Sequence, residues 1–176
     1  MDAIKEKLSL AALNDMDRDA FIGALGHLFE HSPWVAERAW EKRPFHSVDA
    51  LHDAFVTSVR EADPETRLAL VRAHPDLAGK AAIDGSLTAE SAFEQQSAGL
   101  DQMTPEEYAR FHNLNEAYKK AFGIPFIICV RENTKFSILE AFEKRLQSAP
   151  DAELDTAIGQ IARITRLRLQ DLQIEA

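Results

Sequence analysis

Three segments of this chain carry residue types that can do chemistry at a usable spacing. The first is His74-Pro75-Asp76-Leu77, which closes a helix-forming stretch and opens the longest irregular one, 74–87, containing Pro75, Gly79 and Gly85. Proline fixes the local backbone, so His74 is held in one direction. Imidazole titrates near neutrality and suits general acid or base work, although the helix dipole alone also favours a histidine at a helix C-terminus. The second segment is Ser91-Ala92-Phe93-Glu94-Gln95. Ser91, Glu94 and Gln95 stand at i, i+3 and i+4 and share one helical face, opposite Ala89, Phe93 and Leu100. That polar face suits either a binding site or plain solvation. The third is Phe126-Ile127-Ile128-Cys129-Val130, an apolar run between Pro125 and Arg131. It reads as core, or as a pocket wall whose irregular backbone offers N–H and C=O groups to a heteroatom-rich ligand. Nothing nearby in sequence lowers the pKa of Cys129, so it is not assigned as a nucleophile.

A fourth candidate lies near the C-terminus. Leu154, Ile158, Ile161, Thr165, Arg168 and Leu172 form one stripe at helical spacing. Taking Ile161 as its centre, Arg168 falls about 20° away, whereas Arg163 and Arg166 fall roughly 140–160° away. A buried guanidinium is costly unless an anion pairs with it, so Arg168 needs either a protein carboxylate or a ligand. If the partner is a ligand, removing Arg168 leaves the empty protein as stable or more so. A fifth motif, His27-Leu28-Phe29-Glu30-His31, matches the H-x-x-E-H pattern of some metal hydrolases. It runs directly into Ser32-Pro33, which places His31 at a helix end, so no metal ligand set is assigned.

The elements that position these residues read as helices throughout. Asp17 caps one helix, with Met16 and Phe21 as a staple. Ser32-Pro33 opens a helix through Trp40. Ser47 caps the stretch to Arg60, and Asp63-Pro64 opens one to Ala73. Thr88 opens 89–98, with Gly99 as the stop. Thr104-Pro105-Glu106-Glu107 opens a long helix that Gly123 ends. Thr134 opens 135–147, and the region after Pro150 reads as helix to Leu172. Only Ile124 to Val130 departs, as a strand-like segment or a further helix start, and one such segment makes no sheet. The expected fold is all-α, a single compact bundle of eight or nine helices forming one domain over 1–176.

Composition narrows the partners. The chain has 176 residues, 45% hydrophobic, with a formal charge of −9. An acidic surface excludes nucleic acid and anionic membrane as partners, and local cations must receive any anionic substrate. One cysteine rules out an internal disulfide and a Cys-rich zinc site. No apolar run approaches the ~20 residues that cross a bilayer. Met1-Asp2-Ala3-Ile4-Lys5-Glu6 lacks a leader pattern and the C-terminus lacks a peroxisomal tripeptide, so a cytoplasmic location is expected.

Taken in order, these segments resemble the OHCU decarboxylase family, OHCU being 2-oxo-4-hydroxy-4-carboxy-5-ureidoimidazoline, an unstable intermediate between urate and allantoin. The resemblance runs through Phe29-Glu30-His31-Ser32-Pro33-Trp34-Val35-Ala36, Arg43-Pro44-Phe45, His74-Pro75-Asp76-Leu77 and Ser91-Ala92-Phe93-Glu94-Gln95. It continues through Ala98-Gly99-Leu100-Asp101, Leu114-Asn115, Tyr118, Phe122-Gly123-Ile124-Pro125-Phe126-Ile127-Ile128-Cys129-Val130 and Arg166-Leu167-Arg168-Leu169. It implies an all-α homodimer that converts OHCU to (S)-allantoin and carbon dioxide without a cofactor or metal. It also implies catalytic roles for His74, Glu94 and Arg168, with substrate contacts from Pro75, Ser91, Ala92, Phe93, Glu94, Gln95 and Phe126 through Val130. The chemistry suits those residue types. A ring C=N beside the carboxyl-bearing carbon accepts the electron pair, so no external electron sink is required. Two other readings compete: a metal-dependent hydrolase using His27 and His31, and a helical interaction module presenting Trp34 and Trp40.

Overall fold

The computed structural model describes residues 7–176, so the leader reading of Met1–Glu6 lies outside the described residues. Every regular element among them is helical, which bears out the all-α expectation. Contacts group the chain into two units. One takes the chain up to Arg67 together with Thr165–Ala176, and the other is Leu68–Ile164.

The first unit holds α1 (Leu10–Asp15), α2 (Arg18–Leu25), a 3-10 turn (Gly26–Leu28), α3 (Trp34–Trp40) and α4 (Val48–Arg60). Helix starts are chemically specified. Ser9, Asp17 and Ser47 each accept a hydrogen bond from a first-turn N–H, those of Ala12, Ala20 and Ala50. Carbonyls at the end of α1 also find partners: Arg43 donates to Asn14 and Met16, and the Trp40 indole N–H donates to Met16. Leu13, Phe21, Leu25, Val35, Leu51 and Phe55 are fully buried and form the core of this unit. A backbone pair between Ser9 and Glu175 ties the two ends of the described chain.

The second unit holds the end of α5 (Pro64–Arg72), α6 (Lys80–Asp84), α7 (Ala89–Ser97), α8 (Pro105–Phe122), a 3-10 turn (Val130–Glu132), α9 (Lys135–Arg145) and α10 (Pro150–Asp171) as far as Ile164. Thr88, Thr104 and Thr134 cap α7, α8 and α9. Gly123 ends α8 at φ 69°, a left-handed conformation that a Cβ would strain. Phe111, Tyr118, Phe126 and Phe142 form its aromatic core, with Phe126 stacked on Phe142 at 3.7 Å between ring centroids.

Three local readings are refined. α3 begins at Trp34, and the Ser32 hydroxyl donates to the Glu30 carbonyl instead of capping the helix. The 74–87 stretch contains the short helix α6. The 124–129 run is neither strand nor helix but buried, irregular chain leading into the 3-10 turn.

Candidate functional site

His74 lies two residues past the end of α5 and is buried, with 8% of its surface exposed. Its Nδ1 lies 3.0 Å from the Leu70 carbonyl. A carbonyl only accepts, so Nδ1 carries the hydrogen, and in the neutral ring the lone pair falls on Nε2. The turn after it is tight. Ala78 takes φ 50°, and a Cβ on Gly79 would meet the Asp76 Cβ at 2.7 Å, so only glycine fits there.

α7 supplies the second segment, and its polarity is inverted. Ser91, Glu94 and Gln95 are buried, whereas Ala89 and Ala92 are exposed and Phe93 keeps 56% of its surface exposed. The solvated-face reading of this triplet is therefore overturned. Burying a serine, a carboxylate and an amide while leaving a phenyl ring outside costs free energy unless the polar groups find partners. Gln95 finds them on the turn after His74: its Oε1 accepts from the Ala78 N–H at 2.8 Å, and its Nε2 donates to the Asp76 carbonyl at 3.3 Å.

The third segment also meets α7. The 3-10 turn Val130–Glu132 packs against α7, and the Arg131 guanidinium sits 5.7 Å from the centre of the Phe93 ring. Phe126 through Val130 are all buried. Their irregular backbone is held from behind, with Arg145 donating to the Ile127 carbonyl at 2.6 Å and Gln160 accepting from the Cys129 N–H at 2.9 Å. Burial pushes the Cys129 thiol up to about 11, and the nearby carboxylates of Glu132 and Glu94 add to the effect. This agrees with its exclusion as a nucleophile.

Within this unit the structure thus brings His74, α7 and the 126–130 segment to one region. A cleft of about 310 Å³ is lined by His74, Arg72, Asp76, Lys119 and Gly123 through Pro125. A larger cavity, about 510 Å³, lies along α6 and α7 with Ala78, Ile83, Leu87, Leu100 and Tyr108 in its wall. It is mainly apolar; Ala92 and Gln95 line it, whereas His74, Ser91 and Glu94 do not. The cleft holds His74, and its wall includes none of Ser91, Glu94, Gln95 or Phe126 through Val130.

Arg168 belongs to the other unit. It is the buried arginine of the three, as its helical angle indicated, while Arg163 and Arg166 are exposed and paired with Glu132 and Asp49. Its partner is a protein carboxylate: Nη2 lies 3.0 Å from Glu30, and Nη1 donates to the Leu28 carbonyl at 3.1 Å. Glu30 is the acidic residue of the H-x-x-E-H motif, and His27 and His31 on either side of it are exposed. Among the described residues no three His, Cys, Asp or Glu side chains are grouped to hold an ion. Trp34 and Trp40 are half-buried under Arg38 and Arg43 and contribute to packing within their own unit.

Sequence reasoning missed the supports of the site. Asn115 is buried on α8 and donates to the Leu77 carbonyl. Arg145 and Glu153 form a buried ion pair, and the Tyr118 hydroxyl donates to Glu153. Burial and that carboxylate hold the Tyr118 hydroxyl far above its usual range. The signal was present: Asn115 interrupts the apolar stripe Phe111–Asn115–Tyr118, and Arg145 interrupts Ile138–Phe142–Arg145, just as Arg168 interrupts its own.

Comparison with known proteins follows the same line. A family model described as OHCU decarboxylase matches residues 14–170. A 2-oxo-4-hydroxy-4-carboxy-5-ureidoimidazoline decarboxylase of Halalkalicoccus jeotgali is 39% identical over 168 residues, covering 96% of this chain and 93% of that one. The crystal structure of an (S)-allantoin synthase superposes with a TM-score of 0.75 at 28% identity, covering 94% of this chain and 54% of that one. A crystal structure of OHCU decarboxylase in the presence of (S)-allantoin gives 0.64 at 25% identity, covering 79% and 89%. With a family match over nearly its whole length and a relative this similar from end to end, the chain belongs to the OHCU decarboxylase family.

Proposed function

We propose that this chain decarboxylates 2-oxo-4-hydroxy-4-carboxy-5-ureidoimidazoline and gives (S)-allantoin and carbon dioxide. The observation that carries the reading is the inverted helix α7. It buries Ser91, Glu94 and Gln95 beside the turn that follows a buried histidine, in a chain of this family. In the reaction the bond from the ring to the carboxylate breaks, and its electron pair moves toward the adjacent ring C=N. Carbon dioxide leaves, and the neighbouring ureido-bearing carbon takes a proton on one face. His74 supplies that proton from Nε2 as imidazolium and returns to the neutral form, while the Leu70 carbonyl keeps the ring oriented through Nδ1. Glu94 orients His74 or the substrate hydroxyl. Pro75, Ser91 and Gln95 line the site with the 126–130 backbone, whose N–H and C=O groups suit the heteroatom-rich ring, and Ala92 and Phe93, exposed on α7, enter through the family resemblance alone. Arg168 enters this reading through the family resemblance alone, as the cation for the substrate carboxylate. The resemblance likewise supplies a homodimer. Among the described residues no helix is long and apolar enough to cross a membrane.

Because the substrate ring is its own electron sink, the reaction needs no metal or cofactor. The test is to generate OHCU in situ from urate and follow its loss with the chelated protein. The expected result is a protein-dependent acceleration that chelation leaves unchanged. Loss at the spontaneous rate contradicts the reading, and activity that appears only on adding zinc moves it to a metal-dependent hydrolase.

A further inference from the structure

The turn that presents His74 is held by side chains from two helices. Gln95 of α7 engages the Asp76 carbonyl and the Ala78 N–H, at 3.3 and 2.8 Å. Asn115 of α8 donates Nδ2 to the carbonyl between them, that of Leu77, at 2.8 Å. Lys119, one turn further along α8, pairs with the Asp76 carboxylate at 2.8 Å. Three consecutive residues, 76–78, are therefore tied from outside the turn. Asn115 is 3% exposed, and its Oδ1 is buried without a hydrogen-bond partner. An amide kept on an apolar helix face at that cost makes sense if its donor matters. The turn itself also needs external support, since Ala78 sits at a positive φ.

We propose that Asn115 is a positioning residue for His74. It acts through the Leu77 carbonyl to hold the 76–78 turn, and so the imidazole before it, in the geometry that delivers a proton to one face of the substrate. Lys119 is the outer tie of the same brace. For the reaction it names, the inference rests on the function proposed above. Its spectroscopic consequence does not: with the turn held, His74 keeps one tautomer, with hydrogen on Nδ1.

The test uses the full chain labelled with 15N-histidine, with the His74 signals assigned by comparison with His74→Gln. In the unsubstituted protein the nitrogen shifts should report the Nδ1–H tautomer. Asn115→Leu keeps the volume and removes the donor. It should shift or broaden the His74 signals, lower kcat about three- to tenfold with KM within about twofold, and reduce the enantiomeric excess of the allantoin formed. A residue that only supports the fold would lower Tm and leave the spectrum and stereochemistry alone. A folded Asn115→Leu with unchanged His74 signals and product stereochemistry overturns the proposal. Lys119→Met alters a 38% exposed side chain and is not expected to disturb folding. It should move the same signals by less, and it decides the matter if Asn115→Leu does not fold, when an unmoved His74 spectrum overturns the brace. If the unsubstituted chain does nothing to OHCU, the proposed function fails, and the nitrogen spectra still answer for Asn115.

Discussion

Cys129 shows how burial silences a reactive residue type. Its thiol ionises near 9 when unperturbed and at about 11 in the fold. The unfolded chain therefore gives up this proton first, and stability should fall as pH rises from 9 toward 11. Tyr118, also raised, adds a decline that sets in above its ordinary value of 10. Melting temperatures measured across pH 8–11 should drop in this window, and Cys129→Ala should remove the part that begins at 9. A Cys129→Ala profile that overlays the original would mean that the thiol is not held neutral by burial. At this scale the sequence was legible where a residue type speaks for itself: a histidine before proline, or an arginine on an apolar stripe. It was silent on direction for Ser91, Glu94 and Gln95, because spacing defines a face without saying whether that face meets solvent or the interior. Phe93 opposite them pointed to the conventional answer, and tertiary packing reversed it.

At the scale of elements, the capping residues were the most readable feature. Asp17, Ser47, Thr88, Thr104 and Thr134 each hold the first-turn N–H that their side chains suit. Buried irregular chain was not readable, because what specifies 126–130 is Arg145 and Gln160 from distant helices. α10 yields a prediction that the structure alters. Arg168 was expected to leave the empty protein unharmed when removed, if a ligand were its partner. With Glu30 and Arg168 buried against each other, Arg168→Met strands a buried carboxylate and should cost about 3–5 kcal/mol. Glu30→Leu combined with Arg168→Met should recover most of that loss. Chemical denaturation measures both, and a single variant as stable as the original would mean that the pair contributes nothing. Activity of the stabilised double variant then separates the roles: loss of turnover supports a substrate contact for Arg168, and retention makes it purely structural. Arg163→Met and Arg166→Met, at exposed pairs, should change stability by no more than about 0.5 kcal/mol.

For the whole molecule, a charge of −9 means that an anionic substrate approaches against the net field. Local cations have to receive it, and the cleft that holds His74 is lined by Arg72 and by Lys119, the latter paired with Asp76 in the same wall. The family reading expects two copies of this 19.7 kDa chain to associate, and equilibrium sedimentation should report twice that mass. A monomer at working concentration would remove the homodimer from the account. The central claim concerns proton delivery by His74 to one face of the decarboxylated ring. OHCU made in situ decays without a catalyst to racemic allantoin, so the enantiomeric composition of the product reads that claim directly. Circular dichroism of the allantoin should show the S enantiomer in excess with the unsubstituted protein and a racemate with folded His74→Ala. Racemic product from the unsubstituted protein, or an S excess that survives His74→Ala, would contradict the account.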